Sequence, residues 1–118
     1  MKAMHAVCHY KNGRPDNLFQ VGKGQGVFKS GYWRIPPEEA LALRGGWLYL
    51  HETSNKPAYF VARIEEVGEP DGEGKYNLSV KKEILRIEVA WRGITPTQSR
   101  YVSIVEADRP HEAGSRMR

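Results

Sequence analysis

Trp47-Leu48-Tyr49-Leu50-His51-Glu52, Thr53-Ser54-Asn55-Lys56-Pro57 and Ala58-Tyr59-Phe60-Val61-Ala62-Arg63-Ile64-Glu65-Glu66-Val67 run consecutively and read as strand, turn and strand. In the first run Leu48 and Leu50 fall on one face, with Trp47, Tyr49 and His51 on the other. In the third, Phe60, Ala62 and Ile64 alternate with Tyr59, Val61 and Arg63. The middle run is turn chemistry, so the three together predict an antiparallel hairpin with one aliphatic face and one aromatic and polar face.

Upstream, Pro36-Pro37-Glu38-Glu39-Ala40-Leu41-Ala42-Leu43-Arg44-Gly45-Gly46 has prolines at its start, acids in its first turn, a cation in its last and glycine beyond. That pattern predicts a short helix of two to three turns. Before it, Lys29-Ser30-Gly31-Tyr32-Trp33-Arg34 reads as a loop, and Gly22-Lys23-Gly24-Gln25-Gly26 as a flexible loop, because it lacks the Gly-Lys-Ser/Thr ending of a phosphate cradle. Met4 to Tyr10 is a short opening strand.

Downstream, Gly68 to Gly74 is an acidic, Gly/Pro-rich loop, and Glu83 to Arg92 places Leu85, Ile87, Val89 and Trp91 on one face in period two, the clearest strand pattern in the chain. Arg100 to Val105 is a further strand that closes the sheet. With no alternation of strands and long helices, the expected fold is mainly β with one or two short helices (α+β), a small pseudo-barrel of mostly antiparallel strands. Residues 1–105 are expected as one domain and 106–118 as a disordered tail.

The 118 residues, 40% hydrophobic, suffice for a single core. The first residues have no long apolar run behind them and no apolar stretch approaches about 18 residues, so no leader and no membrane span is expected. The lone Cys8 suits a reducing compartment, with the cytoplasm as the default. Charge is uneven under the net +4: residues 1–34 hold six Lys/Arg and one Asp, 35–80 hold four against eight acids, and 81–118 hold eight against five. Basic ends brought together by folding would attract phosphates, against the alternative of ordinary solubilising charge.

Aromatics interleaved with hydrogen-bond donors are the chemistry-bearing pattern. Lys29, Ser30, Tyr32 and Trp33 before the helix, and Trp47, Tyr49 and His51 after it, form a set able to stack on a base and bond its edge. For Trp33 and Trp47 the competing assignment is packing in the core beside the helix. Arg34, Lys56, Arg92 and Arg100 are the expected backbone-contacting cations, ahead of Arg86, which shares a face with Glu88. His5 and His9 share a strand face with Cys8 opposite, so no metal site is expected. No cofactor is expected either.

The run from Lys29-Ser30-Gly31-Tyr32-Trp33 through Gly45-Gly46 to Leu48 and onward to Val67 resembles the PUA-like superfamily, and within it EVE domains most, with YTH and ASCH domains as relatives. It departs from the EVE pattern at Glu52-Thr53, where that pattern tends to have Ser. The resemblance implies a pseudo-barrel whose pocket, between the Trp loop and the strand pair, receives a flipped or modified base of DNA or RNA. Lys29, Ser30 and Trp33 map to the loop and Tyr49 and His51 to the strand. Because some ASCH proteins are hydrolases, a second expectation is hydrolysis of a modified nucleoside, with Lys29, His51 or Glu52 in the chemistry; His51 and Glu52 point to opposite faces of a regular strand, so one of them at most enters the pocket. A third is a protein-interaction factor on the same scaffold, using the acidic loop from Glu69 to Glu73.

Overall fold

Leu48 and Leu50 turn to one face of their strand and Trp47, Tyr49 and His51 to the other, yet all five are buried, so the sheet is covered on both sides here. The computed structural model describes residues 2–8, 10, 11, 14, 15, 18–21, 26–83, 89–94, 96 and 102–106. Its strands are β1 (Lys2–Val7), β2 (Tyr10–Lys11), β3 (Arg14–Pro15), β4 (Leu18–Val21), β5 (Val27–Arg34), β6 (Trp47–His51), β7 (Phe60–Val67), β8 (Lys75–Lys82) and β9 (Val102–Glu106). Helix α1 (Pro37–Ala40) runs directly into a 3-10 turn at Leu41–Leu43.

Seven strands form one curled sheet in the order β4-β5-β8-β7-β6-β1-β9, a half-barrel, while β2 and β3 make a separate two-stranded ribbon. The fold is thus mainly β with one short helix, as the hydrophobic pattern predicts. Every pairing in the large sheet is antiparallel except β1 with β6, whose parallel register sets His5 opposite Tyr49 and Val7 opposite His51. The predicted hairpin is β6–β7, with Trp47 opposite Arg63 and Leu50 opposite Phe60. The predicted closing strand is β9, which pairs with β1.

Three elements differ from the sequence reading. The Lys29–Arg34 segment is not a loop but half of β5, a strand paired on both sides. A register shift between Ser30 and Trp33 opposite β8 lets both residues turn inward in spite of their odd spacing, which hides the alternation. β8 itself occupies Lys75–Lys82, where Tyr76, Leu78 and Val80 are buried. Of the strand expected over Glu83–Arg92, residues 84–88 lie outside the described residues, as do Leu85 and Ile87 with them. Val89 makes a single bridge, and Ala90 to Arg92 are not strand. The predicted helix is shorter than its end signals imply, because after one α turn the chain tightens to set Ala40 and Leu43, both fully buried, against the sheet. β9 extends one residue into the predicted tail; residues 107–118, like Gly22–Gln25, lie outside the described residues.

The main core lies on the inner face, where Met4 and Ala6 of β1, Leu48 and Leu50 of β6, Ile64 of β7 and Leu78 of β8 meet. Trp33 packs into this core, and its Nε1–H donates to Ser30 Oγ at 2.9 Å. Ser30→Ala would leave a buried indole N–H without its acceptor, and urea denaturation is expected to show a loss of about 1–3 kcal/mol. A loss near zero would mean that another group takes over the bond. The outer face carries a smaller cluster of Ala3, Trp47, Tyr49, Val61 and Val89. No helix among the described residues is long and apolar enough to cross a membrane.

Candidate functional site

The sequence-selected aromatics do not share one pocket, because the sheet divides them. Ser30 and Trp33 are buried in the inner core, Trp47, Tyr49 and His51 belong to the outer face, and Lys29 and Tyr32 are exposed, Tyr32 by 51%. A pocket between the Trp loop and the β6–β7 pair is therefore corrected to two separate packing environments. Arg34 is exposed and donates to the Glu73 carbonyl at 3.1 Å. Arg92 is exposed, and Arg100 and His9 lie outside the described residues.

On the outer face the parallel β1–β6 pairing brings together two histidines 46 residues apart. His5 Nδ1 lies 2.9 Å from His51 Nε2, and His51 Nδ1 lies 2.9 Å from the Lys56 carbonyl oxygen. A carbonyl oxygen only accepts, so His51 carries its proton on Nδ1 and accepts at Nε2, which in turn requires the proton of His5 on Nδ1. The pair is buried against aromatic rings: Tyr49 stacks on His5 with centroids 4.8 Å apart, and Trp91 meets His51 edge-on at 5.1 Å. Burial is the first cause that holds His5 neutral, with His51 and Arg92 adding to it, and its pKa falls to about 3. Burial also lowers that of His51, offset in part by the Lys56 carbonyl. Both nitrogens of His51 are thus occupied, which leaves it without a free position for proton transfer to a substrate in this arrangement.

The chain His5–His51–Lys56 ends at the rim of a cavity of about 490 Å³ lined by Glu52, Lys56, Pro57, Ala58 and Tyr59. Such a volume lies within the range of small-molecule sites. Its walls are tied down from several sides. Tyr59 O–H donates to the Cys8 carbonyl at 2.7 Å, Tyr59 N–H to Leu50, Ala58 N–H to Val89 and Lys56 N–H to Thr53. At the mouth, Lys56 Nζ and Glu52 Oε1 stand 3.1 Å apart, both well exposed.

Three cations stand on the outer face of β7, β8 and β5. Across β6, β7, β8 and β5 the register runs Trp47, Arg63, Lys81 and Val27, and Lys29 follows two residues on in β5. Arg63, Lys81 and Lys29 are exposed, and the Arg63 guanidinium carbon sits 5.5 Å from the Trp47 ring centroid. Among the described residues none of the three has a carboxylate within ion-pair distance, while nearby Glu66 is engaged by Arg44 at 3.1 Å. The sequence pattern does not single out Lys81, because the alternation Tyr76, Leu78, Val80, the signal of its strand, is short and polar between. His5 and Tyr59 gave none short of the three-dimensional pairing.

No group of three or more His, Cys, Asp or Glu side chains able to hold a metal occurs among the described residues. No family model, curated protein or solved structure matches the chain, so the PUA-like resemblance rests on the residues quoted for it.

Proposed function

We propose that this protein is a nucleic-acid-binding module that lays a phosphate backbone across the outer face of its sheet. The observation that supports this reading is the set of three exposed cations, Arg63, Lys81 and Lys29, gathered on one face of adjacent strands without carboxylate partners among the described residues. Cations held on a sheet displace counterions when they meet phosphates, and the Trp47 ring lies beside the Arg63 guanidinium at 5.5 Å. Among the described residues the sequence-selected aromatics stand on two faces of the sheet, so base recognition is a separate matter from backbone attachment.

Fluorescence anisotropy of a short labelled single strand, DNA and RNA in parallel, tests the reading over a salt series. Three phosphate contacts predict that log K falls with log salt at a slope of about −2. Lys29→Glu with Lys81→Glu, both at exposed positions, is expected to weaken binding by tenfold or more and to flatten that slope. Absence of binding by the natural chain, or an unchanged slope in a folded double variant, would sink the proposal.

A further inference from the structure

The cations of the outer face lie on a bounded, oblique track. Arg63 and Lys81 are direct partners across β7 and β8, and Lys29 stands two residues from Val27, the partner of Lys81 in β5. With strands about 4.8 Å apart and about 3.4 Å per residue along each, the three α-carbons span roughly 12 Å. Beyond Arg63 the track meets an apolar border: β6 brings the buried Trp47, and the next outward residue of β7 is Val61, held with Trp47 in the outer cluster. Along β8 the inward residues are Tyr76, Leu78 and Val80, so Lys75 and Ser79 share the outer face with Lys81. Lys75 is already paired, with Glu73 at 3.3 Å. A carboxylate stands beside the track as well. The register shift in the β7–β8 pairing sets Glu66 opposite Ser79, whose partner on the other side is Lys29, so an exposed acid and an exposed base flank one half-buried serine. Glu66 in turn binds Arg44 at 3.1 Å and so occupies a fourth exposed cation.

We propose that this face takes a short stretch of single-stranded nucleic acid, about four nucleotides long, running obliquely across β7, β8 and β5, and that the Arg44–Glu66 pair sets the edge of its path. The inference rests on the nucleic-acid reading and adds to it the form, direction and length of the partner. One phosphate at each of Arg63, Lys81 and Lys29 makes three, and three internucleotide phosphates join four nucleotides. The track lies on the outside of a half-barrel, which is convex. A flexible single strand bends over such a surface and brings each phosphate to its cation, whereas a duplex, stiff over about 150 base pairs, touches it at a tangent. Glu66 acts in two ways. Its charge repels a phosphate that strays from Lys29 toward the far side of Ser79, and its bond to Arg44 keeps that guanidinium from extending the track. Both partners are exposed, so the pair adds little to stability and either can be neutralised in a folded chain.

Anisotropy at low salt with labelled thymidine strands of increasing length, from a dinucleotide to an octanucleotide, tests the track. Affinity is expected to rise about tenfold from the dinucleotide to the tetranucleotide, and by no more than about fivefold from there to the octanucleotide, because longer strands add only alternative placements of the same contacts. A duplex hairpin of the same length is expected to bind at least about fivefold more weakly than the octanucleotide. The two partners of the ion pair should act in opposite directions. Glu66→Gln is expected to bind the octanucleotide about three- to tenfold more tightly and to steepen the salt slope by about 0.7, as Arg44 becomes a further contact, whereas Arg44→Gln leaves the Glu66 charge uncompensated and weakens binding about threefold. Opposite signs from two members of one exposed pair are an effect that a loss of stability does not produce. A gain of tenfold or more beyond the tetranucleotide, duplex binding as tight as that of the single strand, or changes of the same sign in the two variants would overturn the track and leave the cationic face standing as a binding surface. If no strand of any length binds, the backbone reading itself fails and the track with it.

Discussion

Acidification from neutral pH is expected to begin destabilising this protein before its carboxylates titrate, and His5 is the main reason. The side chain is 1% exposed, and its pKa falls from 6.5 in an unfolded chain to about 3 in the fold. Between those two values the unfolded state carries a proton that the native state refuses, so stability rises with pH across the window and falls as pH drops through it. The slope is about 1.4 kcal/mol per pH unit from this residue alone, or about 5 kcal/mol over the whole window, which is comparable with the entire stability of a small domain. His51 shifts in the same direction and adds to the effect. A proton added to the pair brings a charge that burial and the neighbouring Arg92 oppose. Asp71 and Glu106, whose carboxyls are held below their usual range by the Lys75 amide and by Lys2 respectively, act only at lower pH. Far-ultraviolet circular dichroism combined with urea denaturation from pH 7 downward measures the slope. His5→Gln keeps a donor toward His51 Nε2 but cannot be protonated, and is expected to flatten the pH dependence by about one proton. Equal slopes in the two proteins would show that the histidine is not what limits acid stability.

How much of this was legible in the sequence depends on whether a feature is local or needs the register of distant strands. The β6–β7 hairpin was legible because Leu48, Leu50, Phe60, Ala62 and Ile64 alternate without interruption and Asn55 to Pro57 supply a turn. β5 was not, because its bulge puts Ser30 and Trp33 on the same face at an odd spacing, and a glycine between them dilutes the strand signal. The same bulge removes Trp33 from the side on which Trp47 and Tyr49 stand, which is why the expected single pocket is divided. β8 is less evident than the more apolar run that follows it, although its buried positions recur in period two between Lys75 and Lys82. No spacing rule reaches the His5–His51 pair. It exists because β1 runs parallel to β6 after a crossover of several elements, a pairing that hydrophobic alternation cannot specify. The cationic row has the same origin: Arg63, Lys81 and Lys29 are scattered along the chain and become neighbours only through β7–β8 and β8–β5 pairing.

Gly46→Ala is expected to destabilise the protein by about 3 kcal/mol, and its neighbour Gly45→Ala by less, for a different reason. Gly46 stands where the 3-10 turn hands the chain to β6, and both of its backbone groups are used: its N–H donates to the Leu43 carbonyl at 2.8 Å and its carbonyl accepts from Ile64 N–H at 2.9 Å. A Cβ built there would run into the Lys2 carbonyl oxygen of β1, with the Leu43 carbonyl at 3.1 Å beside it. Both obstacles are backbone atoms of elements already fixed by pairing, so no flexible side chain is available to move aside, and relief requires shifting β1 relative to the turn. Overpacking of this kind sits at the upper end of the usual range of about 1–3 kcal/mol. Gly45 meets nothing within 4 Å but adopts φ +82°, so Gly45→Ala loses only the conformational preference for that region, about 1–2 kcal/mol. The consequences should diverge as well. Displacing β1 pulls His5 away from His51, so Gly46→Ala is expected to loosen the Lys56 turn, whereas Gly45→Ala leaves it intact. Urea denaturation of the two variants reads the stability difference, and hydrogen exchange at the Lys56 amide reads the loosening of its turn; equal stability losses would mean that β1 yields easily at Lys2, and the tight packing of β1 against the turn would no longer account for the glycine.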